Sequence, residues 1–127
     1  MFNLYIEKLN TLNTLTIHPY ISDDIMNLTI PSENIVEIYR ILQEIISNII
    51  KHANARNMYL TVGYDQNEVE IVIEDDGKGF DTSLSPNILT SGLGLKTIKE
   101  RSYKLQGECK IESTLGKGTI IHMRFPA

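Results

Sequence analysis

Hydrophobic residues along this chain step by three or four and then by two, three times over. The first run is Phe2, Tyr5, Leu9 and Leu12, which predicts a short helix or the tail of a helix from a preceding domain; residues 1–13 are read as an arm and 14–127 as the domain proper. Two short β segments follow, Leu15–His18 and Met26–Ile30, the second placing Met26, Leu28 and Ile30 on one face before Pro31. They predict a hairpin or a pair of edge strands. Pro31-Ser32-Glu33 is a helix start, with Ser32 as N-cap and Glu33 and Glu37 near the positive end of the helix dipole. From Ile35 to Ala53 the apolar residues come in doublets, the wide stripe of a helix packed on a sheet.

After Asn54 the period returns to two. Met58, Leu60, Val62 and Tyr64 alternate, as do Val69, Ile71 and Ile73, and Asp65-Gln66-Asn67-Glu68 between them predicts a central hairpin. Residues 75–92 hold glycine, serine, proline and acid without periodicity, a loop long enough to suggest function. A second helix is expected from about Leu93 to Leu105, ended by Gly107, then closing strands Cys109–Ser113 and Thr119–Phe125 around Leu115-Gly116-Lys117-Gly118. Helices lying between antiparallel strand groups predict an α+β fold, a mixed, mostly antiparallel sheet covered on one face by helices.

Composition narrows the classes. With 127 residues, 42% hydrophobic and 22% charged, the chain fits one folded domain without disulfides or a structural metal. A net charge of −4 with dispersed Lys and Arg predicts no general grip on nucleic acid, while a local cationic pocket for phosphates stays open. Cys109 is the single cysteine, so no intrachain disulfide can form, which suits a reducing cytoplasm. No apolar run approaches the roughly 20 residues that cross a bilayer. A membrane link is expected only through segments upstream of this chain.

Three constellations can carry chemistry. On the long helix, Glu44, Asn48, Lys51 and His52 share one face at helical spacing. A carboxylate and an amide one turn apart can hold a hydrated divalent cation through oxygen, and a lysine one turn on can meet phosphate. The same strip also suits the solvated side of an amphipathic helix. Next, Asp75-Asp76-Gly77-Lys78-Gly79-Phe80 follows a strand directly: its glycines let backbone approach a ligand, and a carboxylate there can accept the amino hydrogen of a base such as adenine. An ordinary acidic turn reads similarly. Finally, Ser91-Gly92-Leu93-Gly94-Leu95 opens the second helix, where free amide groups make a phosphate seat, and it matches neither the P-loop nor the dinucleotide fingerprint.

The order and separation of these three segments resemble the GHKL ATPase superfamily and, within it, the catalytic domains of sensor histidine kinases of the nitrate-sensor-like class. Tyr39–Glu44 through Asn48 and Lys51–Ala55 resemble the N box, Asp75–Phe80 the G1 box and Gly92–Leu95 the G2 box; the likeness runs from about Leu15 to Phe125. The resemblance implies a Bergerat-type two-layer α/β sandwich that binds ATP and Mg²⁺. It implies Asn48 on the metal, Glu44 supporting the attacking group or orienting a metal-bound water, and Lys51 and His52 at the phosphates. It also implies Asp75 on the adenine amine, Gly77, Gly79 and Phe80 around the base, Ser91 to Leu95 at the phosphates, and Thr119 as a second adenine contact. Residues 81–91 would form a short lid. Ser91 stands where relatives commonly carry an aromatic residue or histidine, and Asp76 where asparagine is frequent.

A histidine kinase also needs an acceptor histidine on a dimerising hairpin, followed by an acidic residue. His18, His52 and His122 do not fit: His18 precedes Pro19 in a strand, and His122 alternates outward on the last one. The leading expectation is therefore a cytoplasmic catalytic domain that donates to a histidine-containing dimerisation domain in cis or trans, with a response regulator downstream. Alternatives are a serine-protein kinase of the anti-sigma-factor type and a non-catalytic ATP-responsive interaction module.

Overall fold

The computed structural model describes residues 15–26, 32–50, 55–79 and 95–126. Their elements are β1 (Thr16–Ile21), α1 (Asp23–Met26), α2 (Ser32–Asn48), β2 (Asn57–Asp65), β3 (Glu68–Asp75), α3 (Leu95–Lys104), β4 (Glu108–Thr114) and β5 (Gly118–Pro126). The strands form one sheet in the order β1-β2-β3-β5-β4. β1 runs parallel to β2, and the other three pairings are antiparallel.

Strand alternation builds the core. On β2 Met58 and Leu60 point inward, on β3 Val69, Ile71 and Ile73, and on β5 Ile121, Met123 and Phe125, all buried. Against them α2 sets Ile41, Leu42, Ile45, Ile46 and Ile49, and α3 brings Ile98, with Leu105 just after it. The opposite sheet face carries exposed Tyr59, Glu74 and Ile120 and the half-buried trio Glu70, His122 and Arg124. This is the two-layer α+β sandwich that the periodicity implies. The first doublet of α2, Ile35 and Val36, stays about half exposed, so the wide stripe narrows toward the N-terminus of the helix.

Both tight turns follow their residues. Asp65 pairs with Glu68, and the two residues between, Gln66 and Asn67, take φ of 51° and 64°, the double left-handed turn that matches strand twist. The Tyr64 hydroxyl donates to Asn67 Oδ1 at 3.1 Å. α3 ends in a Schellman arrangement: Gly107 N–H donates to Ser102 O at 2.9 Å and Gln106 N–H to Tyr103 O at 2.9 Å. Here the expectation for Gly107 needs correcting. The left-handed residue is Gln106, with φ 60°, whereas Gly107 is required because a Cβ there would meet the Arg124 carbonyl oxygen and the Phe125 ring.

The N-terminal reading also changes. β1 extends through Pro19 to Ile21, which an edge strand tolerates because proline need not donate on the open side. Its partner is β2, in parallel, rather than a hairpin neighbour. Met26, expected in a strand, lies in α1, because Asp23 and Asp24 in the first turn favour a helix start over a three-residue alternation; Ile25 N–H donates to Ser22 O at 3.2 Å. Leu28 and Ile30 of that expected strand, and the arm 1–13, lie outside the described residues. α2 is regular to Asn48 and widens to π geometry at Ile49 and Ile50, a stretch rich in β-branched residues. Its expected continuation to Ala53 falls outside the described residues.

Candidate functional site

One end of the sandwich collects the chemistry. β3 finishes there at Asp75, β5 begins there at Gly118 and Thr119, and β4 finishes at Ser113 and Thr114, since Asp75 pairs with Thr119, and Thr119 with Ser113. β2 begins at the same end, Met58 opposite Asp75. α2 runs toward this end, because only eight residues separate Asn48 from Asn57. α3 starts there as well, because its C-terminus feeds β4 at the far end, where Glu108 pairs with Arg124. Glu44, Asn48, Asp75, Thr119 and Leu95 thus belong to elements whose near ends converge.

Inward alternation explains the side chains. Asp75 is the next inward position after Val69, Ile71 and Ile73, Thr119 the one before Ile121, and Ser113 the one after Ile111. The inner face of the sheet, apolar along most of its length, therefore turns polar at this end. Asp75 is only 5% exposed. Burial is the main cause that pushes its carboxyl above the ordinary range; a hydrogen bond from Gly77 N–H pulls down, Asp76 pushes up, Thr119 backbone pulls down and Glu74 pushes up. Gly77 N–H donates to Asp75 Oδ1 at 2.8 Å, which fixes one oxygen and leaves acceptor capacity on the carboxylate.

Across the rung, Ser113 Oγ lies 3.1 Å from Gly118 O and 2.8 Å from Thr119 Oγ1. The carbonyl can only accept, so Ser113 donates to it and Thr119 donates to Ser113, leaving Thr119 Oγ1 as an acceptor. Sequence reasoning missed Ser113; its signal was the alternation Cys109, Ile111, Ser113.

The glycine-rich loop after Asp75 is wedged against the β4–β5 turn. Gly116 N–H donates to Lys78 O at 2.6 Å. Gly79 has φ 61°, and a Cβ on it would meet the Thr114 carbonyl oxygen; Gly118 has φ 101°, and a Cβ there would meet the Asp75 carbonyl oxygen. Both are required by close backbone approach as well as by left-handed φ. Gly77 is buried.

Glu44 and Asn48 sit half-buried one turn apart on α2. Among the described residues no group of three or more His, Cys, Asp or Glu is gathered, so the donor set offered is this carboxylate and amide pair. Two oxygen ligands with phosphate oxygens and water completing the shell fit a hard cation such as Mg²⁺. Leu95 opens α3. Lys51, His52, Phe80, Ser91, Gly92, Leu93, Gly94 and the expected lid lie outside the described residues. An apolar cavity of about 190 Å³ between Ile21, Ile25, Ile38, Leu42 and Val62 lies at the opposite end and offers a nucleotide nothing to read. His18 is exposed on β1, stacked on Tyr59, and His122 lies on the open sheet face with Nε2 3.0 Å from Glu70 Oε1. Neither is on a helix. Among the described residues no helix is long and apolar enough to cross a membrane.

A two-layer sandwich with a buried carboxylate at a strand end, a glycine-rich loop behind it and a helix carrying Glu44 and Asn48 toward the same end suits a nucleotide-binding class of α+β domain. Residues 33–127 match the family described as histidine kinase-, DNA gyrase B-, and HSP90-like ATPase, and the chain belongs to that family. Among curated relatives it is 34% identical over 91 residues to the signal transduction histidine-protein kinase/phosphatase DegS of Bacillus subtilis (strain 168), covering 72% of this chain and 24% of that protein. It is 40% identical over 83 residues to the sensor histidine kinase ComP of the same organism, covering 65% of this chain and 11% of that one. The chain thus spans about a quarter or less of the curated relatives' length. Among solved structures, the blue-light activated histidine kinase EL346 of Erythrobacter litoralis superposes with a TM-score of 0.78 at 19% identity, covering 98% of this chain and 40% of that one. The catalytic domain of histidine kinase ThkA gives a TM-score of 0.75 at 17% identity, covering 98% and 86%. These two carry the fold.

Proposed function

We propose that this chain is the Mg·ATP-binding catalytic domain of a sensor histidine kinase, and that it donates the γ-phosphoryl group to a histidine on a dimerisation domain in cis or trans. The observation that carries the reading is the Asp75 carboxylate: buried at the end of the core, fixed by Gly77 N–H and paired in register with Thr119. It would accept the exocyclic amine of adenine, with Thr119 as the second base contact and Gly77, Gly79 and Phe80 around the base. By the sequence reading, Ser91 to Leu95 would offer main-chain N–H groups to the phosphates. Lys51 and His52 would meet the same charge.

Asn48 would hold the cation, which when bound would neutralise charge on the phosphates. In the transfer the bond from the γ-phosphorus to its bridging oxygen breaks as a bond to an imidazole nitrogen of the acceptor forms, and ADP leaves. Glu44 supports the attacking imidazole. A response regulator then receives the phosphoryl group, in the cytoplasm.

The test supplies the chain with Mg·[γ-³²P]ATP and a helical hairpin bearing an acceptor histidine. The expected product is acid-labile, base-stable label on the hairpin, with Glu44→Gln abolishing transfer while ATP affinity stays within about threefold, since Glu44 is assigned to the reacting end rather than the base. Acid-stable label would indicate a serine-protein kinase, and Mg·ATP binding without transfer to any hairpin an interaction module; either result refutes the proposal.

A further inference from the structure

Beside Asp75 stands a second carboxylate that the proposed reaction does not use. Asp76 is exposed, yet its side chain is fully engaged: Oδ1 accepts from the N–H groups of Arg56 at 2.8 Å and Asn57 at 2.9 Å, and Oδ2 from Asn57 Nδ2 at 3.0 Å. Its own N–H donates to Asn57 O at 3.2 Å. The orientation of the Asn57 amide follows, because a carboxylate only accepts; Asn57 Oδ1 therefore faces His18 Nε2 at 2.9 Å, which must carry the proton. The chain of bonds thus runs His18 to Asn57 to Asp76, from the edge strand to the loop behind Asp75.

This latch lies beyond the last rung of the β2–β3 ladder, where Met58 meets Asp75. The ladder does not need it, but the loop does. Gly77 N–H reaches Asp75 Oδ1 only if the chain turns sharply between them, and the one intervening residue is anchored by both backbone and side chain to the start of β2. The donors from Asn57 and Arg56 also hold the Asp76 carboxyl below the ordinary carboxylate range, Asn57 backbone first, in keeping with a permanently charged clamp.

We propose that Asp76 is a positioning residue for the base pocket: by clamping the loop to Arg56 and Asn57 it sets the angle at which Asp75 presents its free acceptor. This rests on the reading of Asp75 as the adenine contact. The experiment titrates wild type, Asp76→Ala, Asp76→Asn and Asp75→Asn with Mg·ATP and with Mg·ITP, whose base carries an oxygen in place of the amine, and measures thermal unfolding without nucleotide.

In Asp76→Ala, ATP affinity is expected to fall about tenfold while ITP affinity stays within about twofold, because the loss is confined to the amine contact. Asp76→Asn keeps an oxygen for the two backbone N–H groups and should retain most of the ATP preference. An unchanged ATP-to-ITP ratio in Asp76→Ala, with the ratio collapsed in Asp75→Asn, overturns the latch alone. An unchanged ratio in Asp75→Asn overturns the adenine reading beneath it. Parallel loss of both nucleotides with a lowered melting temperature in Asp76→Ala would show a merely structural role and likewise overturn the assignment, as would an Asp76→Asn variant as weak as Asp76→Ala.

Discussion

Replacing Asp75 by asparagine separates what the site needs from what the fold needs. The substitution is isosteric, the backbone rungs to Met58 and Thr119 remain, and the new amide oxygen still accepts from Gly77 N–H. What disappears is a charge that the fold holds at a cost. Burial first, with Asp76 and Glu74 behind it, raises the Asp75 carboxyl above its unfolded value against the downward pull of Gly77 and Thr119. The folded state therefore binds this proton more tightly than the unfolded chain. Stability from this group is present below the ordinary carboxylate range, falls as pH rises from there through the raised folded value, and stays low at neutral pH.

Asp75→Asn removes that slope. At pH 7 without nucleotide it is expected to melt no lower than wild type, and each 1 kcal/mol recovered would raise Tm by roughly 4 °C in a domain of this size. ATP binding should move the other way. A charge-assisted acceptor for the adenine amine is worth about 1.5–3 kcal/mol, so Mg·ATP affinity should drop about 10- to 150-fold. Calorimetric melting between pH 4 and 8 and isothermal titration with Mg·ATP measure the two limbs. A variant that melts several degrees lower at pH 7 and binds ATP as wild type does would refute the assignment of this carboxylate as a buried, ligand-directed charge.

Two further outcomes test the frame around the site. Gly107→Ala puts a methyl group against the Arg124 carbonyl and the Phe125 ring, and should cost about 1–3 kcal/mol by overpacking while leaving ATP affinity unchanged at the other end of the sheet; an unaltered Tm would contradict the close approach. The half-buried ion pair of Arg101 with Glu37, at 2.8 Å, ties α3 to α2, and a double-mutant cycle on unfolding should give a coupling of about 0.5–1 kcal/mol that shrinks in high salt; zero coupling at low salt would make it a surface accident.

Much of this was legible because a single rule, period two, governs both core and site. Val69, Ile71 and Ile73 announce an inward face, and the same count, carried on, lands on Asp75, the buried carboxylate, and passes over the exposed Asp76. What lay beyond reach depends on pairing across long separations. The partner of β1 lies about forty residues on, and parallel pairing with β2 leaves no turn signature. The Asp76 latch joins positions 19 and 39 apart. Gln106 takes a left-handed φ beside a glycine that would bear it more easily, because that glycine is needed where β5 crowds the chain. Local propensity yielded to packing there, as it did at Met26.

The polar end of the inner face is thus a continuation of the core pattern rather than an addition to it, and this ties function to register. A slip of one residue between β2 and β3 would turn Ile71 and Ile73 to solvent and carry Asp75 to the open face in the same movement. The rungs that keep the core dry are the ones that would aim the proposed base contact, so the Gln66–Asn67 turn, at the other end of the β2–β3 hairpin, sets the register on which Asp75 depends.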